Sequence, residues 1–135
     1  MANYTPFVLQ HHLANVAGEH YDLRLKYLTR TKYMSWALPK TRIPKTVGDK
    51  VLAVQTEDHN EHWSKFEGKI DAKDYGGGTV KIEQKGNAEI VSWSRSLITF
   101  IISSGTPMSG RYSLVRTKIK GKQAQWLLVK GKDDE

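Results

Sequence analysis

The sequence predicts an all-β, mainly antiparallel protein. Three observations carry this: nine short runs have strand character, turn-forming residues separate them, and one stretch alone has helical character. Residues 7–12 (Phe-Val-Leu-Gln-His-His) run from apolar to polar, and residues 20–27 alternate cleanly. A third run, 33–38, is ended by Pro39 after a turn at 28–32. Residues 51–56 follow, then a helical turn at 59–66 with polar residues around Trp63 and Phe66. Gly76-Gly77-Gly78 lacks the Lys-Ser/Thr ending of a phosphate loop and reads as a tight corner. Runs at 79–84 and 89–91 flank a turn signal, Lys85-Gly86-Asn87. Residues 97–103, 112–118 and 125–130 complete the set, with turns at 105–110 and 120–122. In the last two runs Tyr112, Leu114, Trp126 and Leu128 are expected in the core. The acidic end, 133–135, is expected to fray. Short strands at this spacing make an antiparallel barrel or a sandwich.

The length of 135 residues fits one domain, 1–135, with a single core. No apolar run approaches a membrane span, and the N-terminus lacks the charged-then-apolar layout of a signal peptide. With no cysteine the chain has neither disulfides, nor thiolate metal sites, nor a cysteine nucleophile, and a cytoplasmic location is expected. The net charge of +7 favours polyanionic partners. Basic residues concentrate in 30–50 and 111–132 rather than in a tail, which suits a charged groove.

One pattern has no packing explanation. Successive side chains of a strand point to opposite faces, so Tyr21, Leu23 and Leu25 make a core face. His20, Asp22 and Arg24 then share the other face, roughly 7 Å apart at each step. Imidazole and carboxylate ligate a divalent ion, and a guanidinium clamps anionic oxygens, so the row suits a metal beside a phosphate. His12 ends the first run with Gln10 on its own face, and a hairpin would bring it near His20 and Asp22. His59 follows Thr56-Glu57-Asp58 at a strand end. His11 alternates away from His12, and His62 reads as a solvated helix residue.

Phe-Val-Leu-Gln-His-His (7–12), His-Tyr-Asp-Leu-Arg-Leu (20–25), Ser-Trp-Ala-Leu-Pro-Lys (35–40), Thr-Glu-Asp-His (56–59) and Phe-Glu-Gly (66–68) occur in that order. Tyr-Gly-Gly-Gly-Thr-Val (75–80), Gly-Arg-Tyr-Ser-Leu-Val-Arg (110–116) and Gln-Trp-Leu-Leu-Val-Lys (125–130) follow. This ordered series resembles the 3′-phosphoesterase domain of bacterial and archaeal DNA ligase D, in a stand-alone version, over residues 7–130. The resemblance implies a small closed β-barrel and manganese-dependent processing of DNA 3′ ends in repair, at primer-templates or breaks. Such enzymes remove a terminal 3′ ribonucleoside and then the 3′-phosphate, leaving a 3′-hydroxyl. By motif position His12, His20 and Asp22 would ligate Mn2+. Arg24 and His59 would contact the scissile phosphate with Lys40 nearby, and Gln10 and Glu57 would support the ligands.

The sequence departs from the family pattern at several places. The loop 15–18 is enlarged, Lys26 replaces a usual acidic residue, and Trp63 stands where a tyrosine is often found. The chain begins almost at its first strand, where fused relatives carry an upstream arm. Phosphate removal is therefore expected to be at least comparable to ribonucleoside removal. A monomer is expected, meeting a ligase or polymerase in trans and no membrane. Two other classes compete. One is a non-catalytic basic barrel that binds nucleic acid through Trp36, Trp63 and Trp93. The other is a two-histidine-one-carboxylate iron oxygenase built on His20, Asp22 and His59.

Overall fold

The computed structural model of the protein describes residues 3–14, 18–26, 31–70, 77–119 and 121–133. The expected turns at 28–32 and 120–122, the loop 15–18, Gly76 and the last two residues lie wholly or partly outside them. Strand β1 (Asn3–Ala14) pairs antiparallel with β2 (Gly18–Lys26), β2 with β3 (Tyr33–Leu38), and β3 with β4 (Lys50–His59). A short helix α1 (Glu61–Ser64) and strand β5 (Gly68–Ile70) precede the long strand β6 (Gly78–Trp93). The wall continues through β7 (Leu97–Ile102), β8 (Gly110–Arg116) and β9 (Gln125–Lys130). The order β1-β2-β3-β4-β9-β8-β7-β6 is closed by pairing of β6 back onto β1, so these eight strands form a barrel and no sandwich. Among the described residues, α1 is the single α-helix. It is shorter than the helical turn expected at 59–66, running from an Asn60 cap to Lys65.

Alternation fills the barrel. Each of its strands sends at least two residues, two positions apart, into one cluster: Leu23 and Leu25, Trp36 and Leu38, and Tyr112 and Leu114 are examples. Trp36 and Trp126 meet edge to face within it, with centroids 5.6 Å apart. The expected core residues Tyr112, Leu114, Trp126 and Leu128 are all fully buried.

Strand β6 overturns one expectation. Lys85-Gly86-Asn87 forms no turn, and its residues pair with Val8, Phe7 and Pro6 of β1 inside a 16-residue strand. A Cβ on Gly86 would lie 3.4 Å from the Phe7 ring, an ordinary contact, so it is the pairing with β1 that carries the strand through this position. At the C-terminal end only Asp133 bears on the expectation of fraying. Asp133 accepts hydrogen bonds from the Arg111 backbone N–H (3.0 Å) and from the ammonium of Lys130, which is 6% exposed. Asp133 is thus tied down, and residues 134 and 135 lie outside the described residues.

Gly78 closes the barrel where β6 meets the end of β1. Its φ is +143°, and a Cβ there would sit 1.9 Å from the Leu13 carbonyl oxygen. Gly78→Ala combines backbone strain with a clash against backbone. A loss of at least about 2–3 kcal/mol is expected. Thermal unfolding should register it as a drop on the order of 10 °C. An unchanged midpoint would mean that β1 and β6 do not close this way.

Candidate metal centre and anion groove

The site lies on the face opposite the core, where β1 to β4 present their other set of side chains. Hairpin register sets it: His12 pairs with His20, Gln10 with Asp22, and Val8 with Arg24. One strand further, Arg24 pairs with Ser35 and Asp22 with Ala37. The segment after β4 folds over this face. The Gln10 amide donates to the carbonyls of Trp63 (2.8 Å) and Phe66 (3.0 Å), and the Glu67 carboxylate accepts from the Ile82 backbone N–H (2.8 Å). Gln10, His12, Asp22 and Arg24 are consequently each less than 9% exposed, although they face away from the barrel interior. Trp63, Ile70 and Val80 complete the walls of a groove of about 730 Å³.

The ligating atoms of His12, His20 and Asp22 lie within 4.8 Å of one another, a group able to hold a metal ion. The Asp22 Oδ2 atom is 3.3 Å from His20 Nε2 and 3.6 Å from His12 Nδ1, and the two rings are 4.8 Å apart. Burial alone would raise the Asp22 pKa. The imidazoles of His12 and His20 and the charges of His20 and Arg24 outweigh it and hold the carboxyl well below the usual range. The hydrogen bond to Asp22 raises the His20 pKa, against the opposing effect of burial. The carboxylate is thus ionised at neutral pH and ready to ligate a cation.

Arg24 is held in position by its neighbours. Its Nε–H donates to Gln10 Oε1 (2.6 Å) and its Nη1 to Ser35 Oγ (3.0 Å). The Nη2 atom stands 4.0 Å from Asp22 Oδ2. Two of the five guanidinium N–H groups are used for positioning, and the Nη2 end, beside Asp22, is not hydrogen-bonded to any described residue.

Ser35 carries the network to His59, whose Nδ1 is 3.2 Å from the hydroxyl. The hydroxyl accepts from Arg24 and has one proton of its own that it can donate to Nδ1. In that tautomer the neutral ring carries its proton on Nε2. Burial and the Arg24 charge lower the His59 pKa, while Glu57, Asp22 and Asp58 push the other way. The Trp63 ring meets His59 edge to face, with centroids 6.3 Å apart.

The groove brings together Gln10, His12, His20, Asp22, Arg24, Glu57 and His59. It does not include Lys40, which is exposed in the turn after β3. Glu57 sits exposed at the groove, and its charge acts on His59. His59 stands outside the donor group, whose second imidazole is His12. His11 lies near Glu19 (3.4 Å) and Glu83 (3.7 Å), and His62 is exposed. Sequence reasoning missed Ser35 as the link between Arg24 and His59. Its one signal is a buried hydroxyl within an otherwise apolar run, in register with Arg24.

The sequence model described as the DNA Ligase D 3′-phosphoesterase domain matches residues 10–116. The multifunctional non-homologous end joining protein LigD of Pseudomonas aeruginosa is 38% identical over 126 residues, covering 86% of this chain and 14% of that protein. LigD of Mycolicibacterium smegmatis is 33% identical over 146 residues, covering 98% of this chain and 18% of that protein. The multifunctional non-homologous end joining DNA repair protein LigD of Mycobacterium tuberculosis is 36% identical over 114 residues, covering 82% and 14% respectively. The chain spans less than a fifth of the length of these relatives.

Proposed function

The chain belongs to the DNA ligase D 3′-phosphoesterase domain family, and from that premise we propose that it is a Mn2+-dependent enzyme that processes DNA 3′ ends in repair. It removes a 3′-phosphate, and a terminal 3′ ribonucleoside, to leave a 3′-hydroxyl. The observation that carries this reading is the His12, His20 and Asp22 donor group with the positioned guanidinium of Arg24 beside it in one groove.

The donor set fits the ion. Two imidazoles and an ionised carboxylate suit Mn2+, and His12, His20 and Asp22 would hold it. Such an ion, when bound, supplies a Lewis acid for the phosphoryl group and an activated water. The protein's own residues do the rest. Arg24 presents its free N–H groups to the phosphate oxygens, where charge builds up during transfer. Gln10 and Ser35 fix its direction, so the guanidinium need not reorganise as the reaction proceeds. His59, neutral before substrate arrives, offers its Nε2–H to the phosphate or the leaving oxygen. Trp63 and the cover over β1 exclude water from one side. Lys40, outside the groove, contacts the DNA backbone beyond the scissile phosphate. Break ends and primer-templates are the substrates, and a ligase or polymerase is the partner that uses the 3′-hydroxyl.

The test is incubation with Mn2+ and a labelled primer-template ending in a 3′-phosphate, at low and at raised salt. A 3′-hydroxyl product is expected, with affinity falling steeply as salt rises. Two basic residues of the concentrated stretches are engaged elsewhere: Arg42 pairs with Asp49 at 2.6 Å, and buried Lys130 pairs with Asp133. Absence of product with Mn2+, alongside intact DNA binding, would leave the non-catalytic basic barrel. Iron-dependent oxidation without phosphate release would favour the oxygenase.

His59 makes a separate prediction. In the free protein its NMR titration midpoint should lie below the ordinary 6.5, because burial and Arg24 disfavour the imidazolium. Saturation with Mg2+ and inorganic phosphate should move the midpoint upward, since a nearby anion favours the charged ring. If phosphate binds and the midpoint stays put, His59 does not face the phosphate.

A further inference from the structure

A second cavity, of about 310 Å³, opens at the rim of the barrel and is lined by Met34, Gln55, Trp93, Arg95, Arg116 and Trp126, with Ser94 between. Its floor is built. Trp126 is 1% exposed and donates its indole N–H to the Gln55 side-chain carbonyl at 3.0 Å. Its walls are aromatic and cationic. Trp93 packs against the core yet remains partly exposed, and Arg95 and Arg116 are both exposed. Among the described residues no carboxylate lines it. Aromatic faces beside guanidinium groups accept a flat π-system carrying a negative charge, which is the chemistry of a nucleotide.

The cavity also lies next to the metal groove. Gln55 lines the second cavity and its neighbour Thr56 lines the groove, so consecutive residues of β4 face the two spaces. Pairing with β9 ends nearby. The last register pair is Val54 with Gln125, and the Gln55 N–H then reaches the Ala124 carbonyl. Beyond that point residues 56–59 have no strand partner on this edge among the described residues. Gln123, just before β9, lines the groove at the same place. A polynucleotide can thus pass from one space to the other over the edge of β4.

We propose that this cavity is a nucleotide subsite: a base of the DNA, unpaired and displaced from the reacting 3′ end, stacks on Trp93 while Arg95 and Arg116 hold its flanking phosphates. The subsite rests on the DNA-processing reading and gives it a second point of contact. It would favour substrates with an unpaired stretch over phosphate esters too short to span both spaces.

The experiment titrates the protein with a fluorescein-labelled single-stranded oligodeoxynucleotide lacking a 3′-phosphate, reading anisotropy. In parallel, Mn2+-supported turnover is measured on a long 3′-phosphorylated substrate and on a dinucleotide 3′-phosphate. Trp93→Ala should weaken oligonucleotide binding roughly five- to a hundredfold, the range of one lost stacking contact, while Trp93→Phe should keep most of it. Arg116→Glu, at an exposed position, should weaken binding and flatten the salt slope by about 0.7 for each lost phosphate contact. In both weakened variants KM should rise on the long substrate, with kcat on the dinucleotide unchanged. Wild-type oligonucleotide affinity in Arg116→Glu and in a folded Trp93→Ala would overturn the subsite. Weakened binding in these variants with no turnover in any protein, wild type included, would support the subsite and sink the proposed reaction.

Discussion

Asp22→Ala is expected to abolish 3′-phosphate removal while leaving the barrel folded. The loss should be on the order of a thousandfold or more, because a bound divalent ion supplies several kcal/mol of charge stabilisation and each 1.36 kcal/mol is a factor of ten. Asp22 is the one donor that contacts both imidazoles, at 3.3 and 3.6 Å, so its removal takes away the anionic member of the group and the contact that orients the rings. Its side chain faces away from the cluster that includes Leu23 and Leu25, so the core is untouched. Arg24 keeps its bonds to Gln10 and Ser35 but loses the carboxylate 4.0 Å away, which costs some stability without opening the core. Calorimetric titration with Mn2+ supplies a readout apart from turnover. Ion binding should fall with activity; the unfolding midpoint without metal should fall too at neutral pH, because a carboxylate held below its usual range stabilises the fold there, while circular dichroism should still show the folded barrel. A variant that binds Mn2+ as the parent does would remove Asp22 from the ligand set.

Much of the fold was legible because a barrel strand with one buried face obeys a period of two. Residues 20–27 declared both faces at once: Leu23 and Leu25 went inward, and Asp22 and Arg24 went to the groove. The hairpin register that sets His12 against His20 follows from the same alternation, since a slip by one residue would have sent the histidine into the core. Local chemistry misled where tertiary pairing decided. Lys85-Gly86-Asn87 has the composition of a turn, but twelve residues of β1 supply partners along one edge of β6, and the ladder runs straight through. Gly-Lys-Ile of β5 is too short to show a period and exists by pairing with β6. Ser35 was illegible for another reason. A buried hydroxyl in an apolar run reads the same whether it bonds its own backbone or bridges two site residues, and only the three-dimensional register brings Arg24 and His59 to it.

Arg24→Lys is the second substitution expected to cost most, and it separates charge from geometry. Lysine keeps the positive charge but presents a single ammonium with no fork. It cannot at once hold Gln10, hold Ser35 and reach an anion in the groove. Gln10 Oε1, in a side chain 1% exposed, then loses the donor that Arg24 supplies at 2.6 Å, which costs about 1–3 kcal/mol of stability. Because Gln10 also carries the cover through the Trp63 and Phe66 carbonyls, part of that cost should appear as faster hydrogen exchange in residues 60–66. On activity the expected loss is roughly a hundred- to a thousandfold in kcat, the scale seen when one preorganised donor to a developing oxyanion is removed. Mn2+ affinity should change little, since the donor group is intact. That pattern of retained metal binding with lost turnover distinguishes a phosphate clamp from a residue that merely supports the ligands. Full turnover in Arg24→Lys would mean that charge alone suffices, and that the fork held by Gln10 and Ser35 serves the fold rather than the phosphate.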